Sequence, residues 1–293
     1  MKIIDLYKKH STVLSFEVFP PKKDGGLDSL YSTIDKLSDL SPDYISVTCG
    51  AGGSVSELDA TLAIADYIKK HSGAVSLAHL TCGQLKAKEL EKTIEALKNK
   101  KIKNVLALRG DTVARNSDFK YAKDLISMLK KHDFCIGAAA YPEGHILSSD
   151  ASGHVSSCIS DSEVDHLAQK QEAGADFFIT QLFFQNDIFY RFIDRILARG
   201  VRLPVSAGVM PLLSKAQVER MIFLCAASLP APIIKIINKY GDNPTDLEKA
   251  GLEYAFNQVQ NLCANKVGGV HIYCMNRPHI AEFITKDLKV SRA

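Results

Sequence analysis

Short apolar runs and longer amphipathic stretches alternate along the chain. The runs cover 13–19, 44–49, 75–82, 103–109, 135–141, 177–184, 204–210 and 269–275, and are rich in Val, Ile, Phe and Ala. Most recur at roughly 30 residues, the length of one strand–helix unit. Between them 27–40, 56–70, 86–99, 118–131, 161–173, 186–199, 214–227 and 245–264 have helical spacing, and so does 278–287. Gly174 and Gly200 follow two of these stretches as helix C-caps. Eight strands alternating with helices predict a parallel sheet closed into a (β/α)8 TIM barrel. Two segments break the period. Residues 142–160 form a long small-residue loop after the fifth strand, and 228–244 is an extra helical excursion ahead of the final helix–strand unit. Loops of that length in a compact domain are usually functional or disordered, and the C-terminal rim of a barrel is where such folds carry their chemistry.

A barrel strand is covered on both faces and should be almost continuously apolar. Several of these are not, and the exceptions follow the strand period of two. Ser15, Glu17 and Phe19 share one side of the first strand, while Leu14, Phe16 and Val18 share the other. Ser46 and Thr48 oppose Ile45 and Val47, and His79 and Thr81 oppose Ala78 and Leu80. In the fourth strand Arg109 and Asp111 are set against Leu106, Leu108 and Gly110, and in the eighth His271 and Tyr273 against Ile272. If the apolar parity packs on the helices, the polar parity lines the barrel mouth. Structural hydrogen bonds between core side chains are the competing account for any one of these residues. That account is weakest for Glu17, because a carboxylate is rarely buried for stability alone. A desolvated carboxyl is expected to have a raised pKa, which suits a general acid.

Length and composition narrow the picture. The 293 residues suit one barrel, which needs ~250, and no linker or shift in composition divides them, so a single domain over 1–293 is expected. No apolar stretch reaches the ~20 residues of a membrane helix, and the N-terminus lacks the apolar core of a secretory signal. A cytoplasmic protein without membrane contact is therefore expected. A net charge of +3 with scattered lysines argues against nucleic acid as a partner. Seven cysteines without a CxxC pair fit reduced thiols and give no iron–sulfur pattern. His145, His154 and Cys158 share one loop, but their spacing matches no common zinc site, and no metal is expected. Gly50, Ala51, Gly52 and Gly53 lack both GxGxxG spacing and a P-loop lysine, so they read as a rim loop, not a phosphate cradle.

Eight motifs, in order and each at a strand end, carry a family resemblance. They are SFEVFPPK at 15–22, SVTCGAGG at 46–53, HLTC at 79–82, ALRGD at 107–111, AAYPEGH at 139–145, AGADFFITQLFF at 173–184, GVMP at 208–211 and HIYCMNRP at 271–278. Over essentially its whole length the chain resembles the methylenetetrahydrofolate reductase family. The resemblance implies FAD across the C-terminal mouth of the barrel, with NADH or NADPH as reductant. It implies that 5,10-methylenetetrahydrofolate is reduced to 5-methyltetrahydrofolate on the same flavin face. Glu17 matches the family's general acid, whose proton opens the folate's five-membered ring to a 5-iminium cation that accepts hydride from flavin N5. Asp111 matches the carboxylate that grips the pterin, and its charge is expected to help hold Glu17 protonated. Gln181 and Arg277 match folate contacts, so Glu17, Asp111, Gln181 and Arg277 form the implied substrate set.

The implied flavin set is Thr48, His79, Leu108, Arg109, Gly110, Asp111, Tyr121, Ala122, Ala139, Tyr141, His145, Glu163, His166 and Lys170. Arg109 and Lys170 suit a diphosphate, and Tyr121 or Tyr141 can cover an aromatic ring. The sequence also departs from the family's pattern. Glu163 replaces a usual aspartate, and Gln169 and His166 vary the helix at the adenine end. Cys49 replaces a tyrosine, and Lys215 stands where an aromatic side chain often stacks on folate. A homo-oligomer is expected. The alternative is a flavin-binding subunit, fed by a partner electron-transfer subunit and inactive with NAD(P)H alone.

Overall fold

The computed structural model describes residues 1–21, 26–49, 55–111, 113–114, 117–144, 160–225 and 227–288. The strands are β1 (Val13–Val18), β2 (Tyr44–Val47), β3 (Val75–Thr81), β4 (Asn104–Leu108), β5 (Cys135–Ala140), β6 (Phe177–Thr180), β7 (Val205–Val209) and β8 (Gly269–Ile272). They close in sequential order into the expected parallel barrel. After a short α1 (Ile4–Lys9), the helices that follow the strands are α2 (Leu27–Asp39), α3 (Val55–His71), α4 (Ala87–Asn99), α5 (Ala122–Lys130), α6 (Asp161–Glu172), α7 (Asn186–Ala198) and α8 (Lys215–Cys225). Then come α9 (Ala231–Tyr240), α10 (Pro244–Ala264) and α11 (Pro278–Thr285). Gly174 and Gly200, at φ 109° and 86°, take the left-handed conformation that ends α6 and α7.

Strand parity decides what each face does. Leu14, Phe16, Val18, Ile45, Val47, Ala78 and Leu80 pack outward against the helices, as the alternation predicts. β4 corrects the reading of the fourth strand. Val105 and Ala107 face the helices, whereas Leu106 lies in the barrel interior, so the interior parity there is apolar. The strand ends at Leu108, and Gly110 at φ 90° turns the chain, so Arg109 and Asp111 leave the sheet and belong to the rim.

The interior has two levels. At the N-terminal end Val13, Tyr44, Leu77, Leu106 and Phe177 pack against Ile3, the N-cap of α1, and Leu6 within it. This plug is held by main-chain donors: Ile3 N–H to Asn104 Oδ1 at 2.8 Å, and Ile4 N–H to Cys135 Sγ at 3.4 Å. Nearer the C-terminal end the interior turns polar, with Ser15, Ser46, His79 and His271 all buried. The 228–244 excursion holds α9, which with α8 and α10 encloses a satellite cluster of Leu212, Val218, Ile233 and Leu247 beside Leu182 and Phe184. Gly251 of α10 lies against the Leu212 carbonyl, where a Cβ would overlap backbone. Phe177, Phe178, Phe183 and Phe184 are core residues. Among the described residues no helix is long and apolar enough to cross a membrane.

Candidate active site

The C-terminal mouth opens into a cavity of about 790 Å³, near the upper end of the ~300–1,000 Å³ common for small-molecule clefts. Glu17 lies in its wall. Register brings its partners from three strands: Glu17 pairs with Ser46 of β2, while Ser15 pairs with His271 of β8. Ser46 Oγ donates to Glu17 Oε2 at 3.4 Å, His271 Nε2 lies 3.4 Å from the same oxygen, and His79 Nε2 lies 3.6 Å away.

Burial pushes the Glu17 carboxyl upward, but the hydrogen bond from His271, the neighbouring His79 and the Ser46 hydroxyl outweigh it. The net effect is a carboxyl held below its ordinary value, opposite to the expectation from burial alone. Asp111, exposed on the rim, is not among these leading influences. Burial lowers the His79 imidazole to about 4, so it is neutral at pH 7. Its Nε2 has no hydrogen-bond partner, although the ring is buried.

His271 couples this carboxylate to a second proton position. Its Nδ1 is 2.8 Å from Ser15 Oγ, and Ser15 Oγ is also 3.3 Å from the Val270 carbonyl. The Ser15 hydroxyl has one proton for these two acceptors. Given to Nδ1, it leaves Nε2–H to donate to an ionised Glu17. Given to Val270, it lets Ser15 accept from Nδ1–H, and Nε2 then accepts from a protonated Glu17. The triad can therefore hold Glu17 in either protonation state with every partner satisfied.

Cations occupy another wall. Lys170 Nζ donates to the Ala139 carbonyl at 2.8 Å and lies 5.9 Å from the centre of the Tyr141 ring. Burial lowers its ammonium to about 8, only partly countered by the Glu163 charge. Among the described residues no carboxylate comes within 4 Å of it. Arg109 lines the same space, its Nε donating to the Gly110 carbonyl at 3.2 Å. On the far side Tyr273 O–H donates to the Thr180 carbonyl at 2.8 Å, an approach that a side chain at Gly208 would block.

A family model described as methylenetetrahydrofolate reductase matches residues 2–289. The chain belongs to the methylenetetrahydrofolate reductase family. It is 31% identical over 279 residues to the 5,10-methylenetetrahydrofolate reductase of Escherichia coli K12, covering 94% of this chain and 90% of that one. It is 31% identical over 290 residues to methylenetetrahydrofolate reductase (NADH) 1 of Arabidopsis thaliana, covering 94% of this chain and 49% of the plant protein. The chain thus spans about half the length of the plant and fission-yeast relatives it matches. Among solved structures, a Clostridium thermocellum protein described as binding two copies of 5-methyl-5,6,7,8-tetrahydrofolic acid shares the fold. Its TM-score is 0.64 at 15% identity, with 96% of each chain covered.

For this member of the methylenetetrahydrofolate reductase family, the cavity gathers nearly every residue singled out in the sequence. Glu17, Thr48, His79, Leu108, Arg109, Gly110 and Asp111 line it from the first four strands and their rims. Tyr121, Ala122, Ala139, Tyr141, Glu163, His166, Lys170 and Gln181 line it from the following units. Arg277 does not; it is exposed at the N-cap of α11. Lys215 is likewise an exposed first residue of α8, away from the lining. His145, His154, Cys158 and Gly50–Gly53 lie outside the described residues. Cys49 is half-buried and Cys82 buried, and among the described residues no cluster of potential metal ligands occurs. Sequence reasoning assigned no role to Ser15, Ser46 and His271, although the strand alternation had placed all three on the polar side. Met210, Met221 and Cys225 were missed altogether, since apolar residues on β7's rim and α8 give no signal apart from core.

Proposed function

We propose that the protein reduces 5,10-methylenetetrahydrofolate to 5-methyltetrahydrofolate, with FAD in the cavity and NADH or NADPH as reductant. The observation that carries this reading is Glu17: a carboxyl in the wall of a large mixed cavity, gripped by Ser46 and His271, in a chain of this family. The residues present fit the flavin. Lys170 is a buried cation without a carboxylate partner, Arg109 adds a fork of donors, and both call for an anionic group such as a diphosphate. His79 Nε2 is an orphaned polar atom beside the same space.

When bound, FAD would accept hydride from the nicotinamide and deliver it to the folate. The chain's own residues do the rest. Thr48, His79, Leu108, Gly110, Ala122 and Ala139 would form the bed, Tyr121 and Tyr141 would cover rings, and Glu163 and His166 would meet the ribose end. Asp111 and Gln181 would orient the pterin; Gln181 Oε1 already accepts from Leu182 N–H at 2.9 Å, which leaves its amide protons for a ligand. Glu17 would give its proton to the folate ring. In the open cavity it is held ionised, so the acid form must be created by ligand binding. Filling the mouth removes water and strengthens burial, the influence that already dominates in the upward direction. His271 accepts the protonated carboxyl through the second arrangement of the triad.

The test is a turnover assay of purified protein with FAD, NADH or NADPH, and either methylenetetrahydrofolate or a quinone as acceptor. Folate-dependent oxidation of the nicotinamide supports the reading. A flavin that methylenetetrahydrofolate reoxidises after dithionite reduction, but that neither nicotinamide reduces, would instead identify a subunit supplied by a partner protein.

A further inference from the structure

Beneath the Glu17–His271–Ser15 triad the barrel interior is not wholly apolar. Tyr44 of β2 shares the interior parity of Ser46, pairs in register with Ser15 of β1, and packs among Leu77, Leu106 and Phe177. Its ring lies nearly parallel to that of His271, with 6.1 Å between centres and 19° between planes. The residue is wholly buried, yet its hydroxyl forms no hydrogen bond. Burial pushes that hydroxyl above its ordinary value, and the Ser15, Ser206 and Tyr7 hydroxyls around it pull the other way. Burial also holds the Tyr7 hydroxyl well above its own, so both tyrosines keep their protons at neutral pH. An unpartnered buried hydroxyl is costly, and a phenylalanine would fill the same space without that cost. The surroundings are nevertheless shaped for hydroxyls. Tyr7 Oη and Ser206 Oγ of β7 lie 2.8 Å apart, and Gly269 of β8 makes room for Ser206, because a Cβ there would overlap Ser206 Oγ.

Proton counting gives this cluster a direction. Ser15 Oγ lies 2.8 Å from His271 Nδ1 and 3.3 Å from the Val270 carbonyl. A proton donated by Tyr44 to Ser15 Oγ makes the Ser15 O–H a stronger donor, since successive hydrogen bonds polarise one another. That favours the arrangement in which Ser15 donates to Nδ1 and His271 Nε2–H donates to an ionised Glu17. In the other arrangement Nδ1–H points at Ser15, whose oxygen would have to accept two protons, so Tyr44 turns to Ser206 Oγ instead.

We propose that Tyr44, backed by Ser206 and Tyr7, is a positioning residue: its hydroxyl holds the Ser15 proton on His271 and so keeps Glu17 ionised until ligand fills the mouth. The consequence for catalysis rests on the reading of Glu17 as the acid that serves folate. Tyr44 is outside the described cavity lining and acts through Ser15 and His271. The other ionisable groups that bear on Glu17, His79 of β3 with Tyr273 and Cys274 beside β8, stay in place when Tyr44 is changed.

The experiment uses Tyr44→Phe, which keeps the ring and removes the hydroxyl. Infrared difference titration of the purified protein, parent and variant each against its own Glu17→Gln version, reads the Glu17 carboxyl without substrate. The Glu17 midpoint should rise by roughly half to one pH unit in the variant, the worth of one hydrogen bond. The pH profile of flavin reoxidation by methylenetetrahydrofolate should move upward by the same amount, with flavin reduction within about two-fold of the parent. Ser206→Ala and Tyr7→Phe should shift the midpoint in the same direction by less. A midpoint that stays put or falls in Tyr44→Phe overturns the proposal, whatever happens to its thermal midpoint. If Tyr44→Phe does not fold, the other two variants decide, and unmoved midpoints in both overturn it. A raised midpoint in a protein whose flavin methylenetetrahydrofolate never reoxidises upholds the positioning role and removes the reading of Glu17 as the folate's acid.

Discussion

Lys170 is expected to trade stability of the empty protein for cofactor retention, and Lys170→Met separates the two. Burial lowers its ammonium from 10.5 to about 8. At neutral pH that gap corresponds to ~3 kcal/mol by which the folded state disfavours the charge. Methionine removes this cost but leaves the Ala139 carbonyl without its donor, which takes back ~1–2 kcal/mol. The deflavinated variant should therefore gain ~1–2 kcal/mol, or about 2–6 °C in thermal midpoint for a chain of this size. The sign of the pH dependence follows from the lowered value. Folded Lys170 gives up its proton before the unfolded chain does, so the parent recovers stability as pH rises from about 8 towards 10.5. The advantage of the variant is largest below about pH 8 and fades across that window. With FAD the order reverses, because a diphosphate supplies the missing counter-charge. Affinity should fall by roughly 1.5–3 kcal/mol in the variant. Thermal scans of deflavinated protein from pH 7 to 10 and flavin-fluorescence titrations measure both halves. A variant less stable than the parent at pH 7, with FAD affinity intact, would refute the assignment of Lys170 as a counter-charge awaiting its anion.

Other outcomes follow from the same geometry. Glu17→Gln should bind FAD and be reduced at close to the parent rate, while its reoxidation by methylenetetrahydrofolate falls at least ~10²-fold in stopped-flow absorbance; undiminished reoxidation would end the role given to Glu17. His271→Leu removes the hydrogen bond that most lowers the Glu17 carboxyl, so the pH profile of folate reoxidation should move to higher pH as burial takes over; a profile that stays put would show that His271 does not control this proton. Because the folded Glu17 value is lowered, the parent also loses stability as pH falls below the ordinary carboxylate value, and Glu17→Gln should show less of that acid sensitivity. Gly251→Ala places a Cβ into the Leu212 carbonyl and should cost ~1–3 kcal/mol in thermal or denaturant unfolding, with the cofactor site spared.

Much of the architecture was legible because barrel strands and their helices alternate at a fixed period. The β1 run, read as 13–19, ends at Val18, and α4, read as 86–99, begins at Ala87. Two kinds of local chemistry moved other ends. The α5 stretch read from 118 starts only at Ala122, since Asp124 reaches back to cap the chain at Lys120 and Tyr121. The β8 run read to 275 stops at Ile272 because Met275 and Asn276 adopt φ 55°. At six residues, α1 is too short to show a period, and its hold on the barrel comes from Asn104 and Cys135, which no pattern could connect to it. Motifs marked out most of the cavity lining, but not what governs the acid. The downward pull on Glu17 comes chiefly from His271, 254 residues away, and only the closed barrel shows that pairing.

That distance has a temporal meaning. β1 and β8 are the first and last strands, and at their seam Phe19 N–H donates to Asn276 Oδ1 at 3.0 Å while Asn276 Nδ2 donates to the Phe19 carbonyl at 2.9 Å. Until β8 lies beside β1, Glu17 lacks both His271 and this clasp. Pairing over such a separation carries a large loop-closure cost and belongs to the slow kind of contact. Maturation of the acid is thereby tied to completion of the whole barrel. An interrupted or half-folded chain would carry the carboxyl, yet without the partner that sets when it holds a proton.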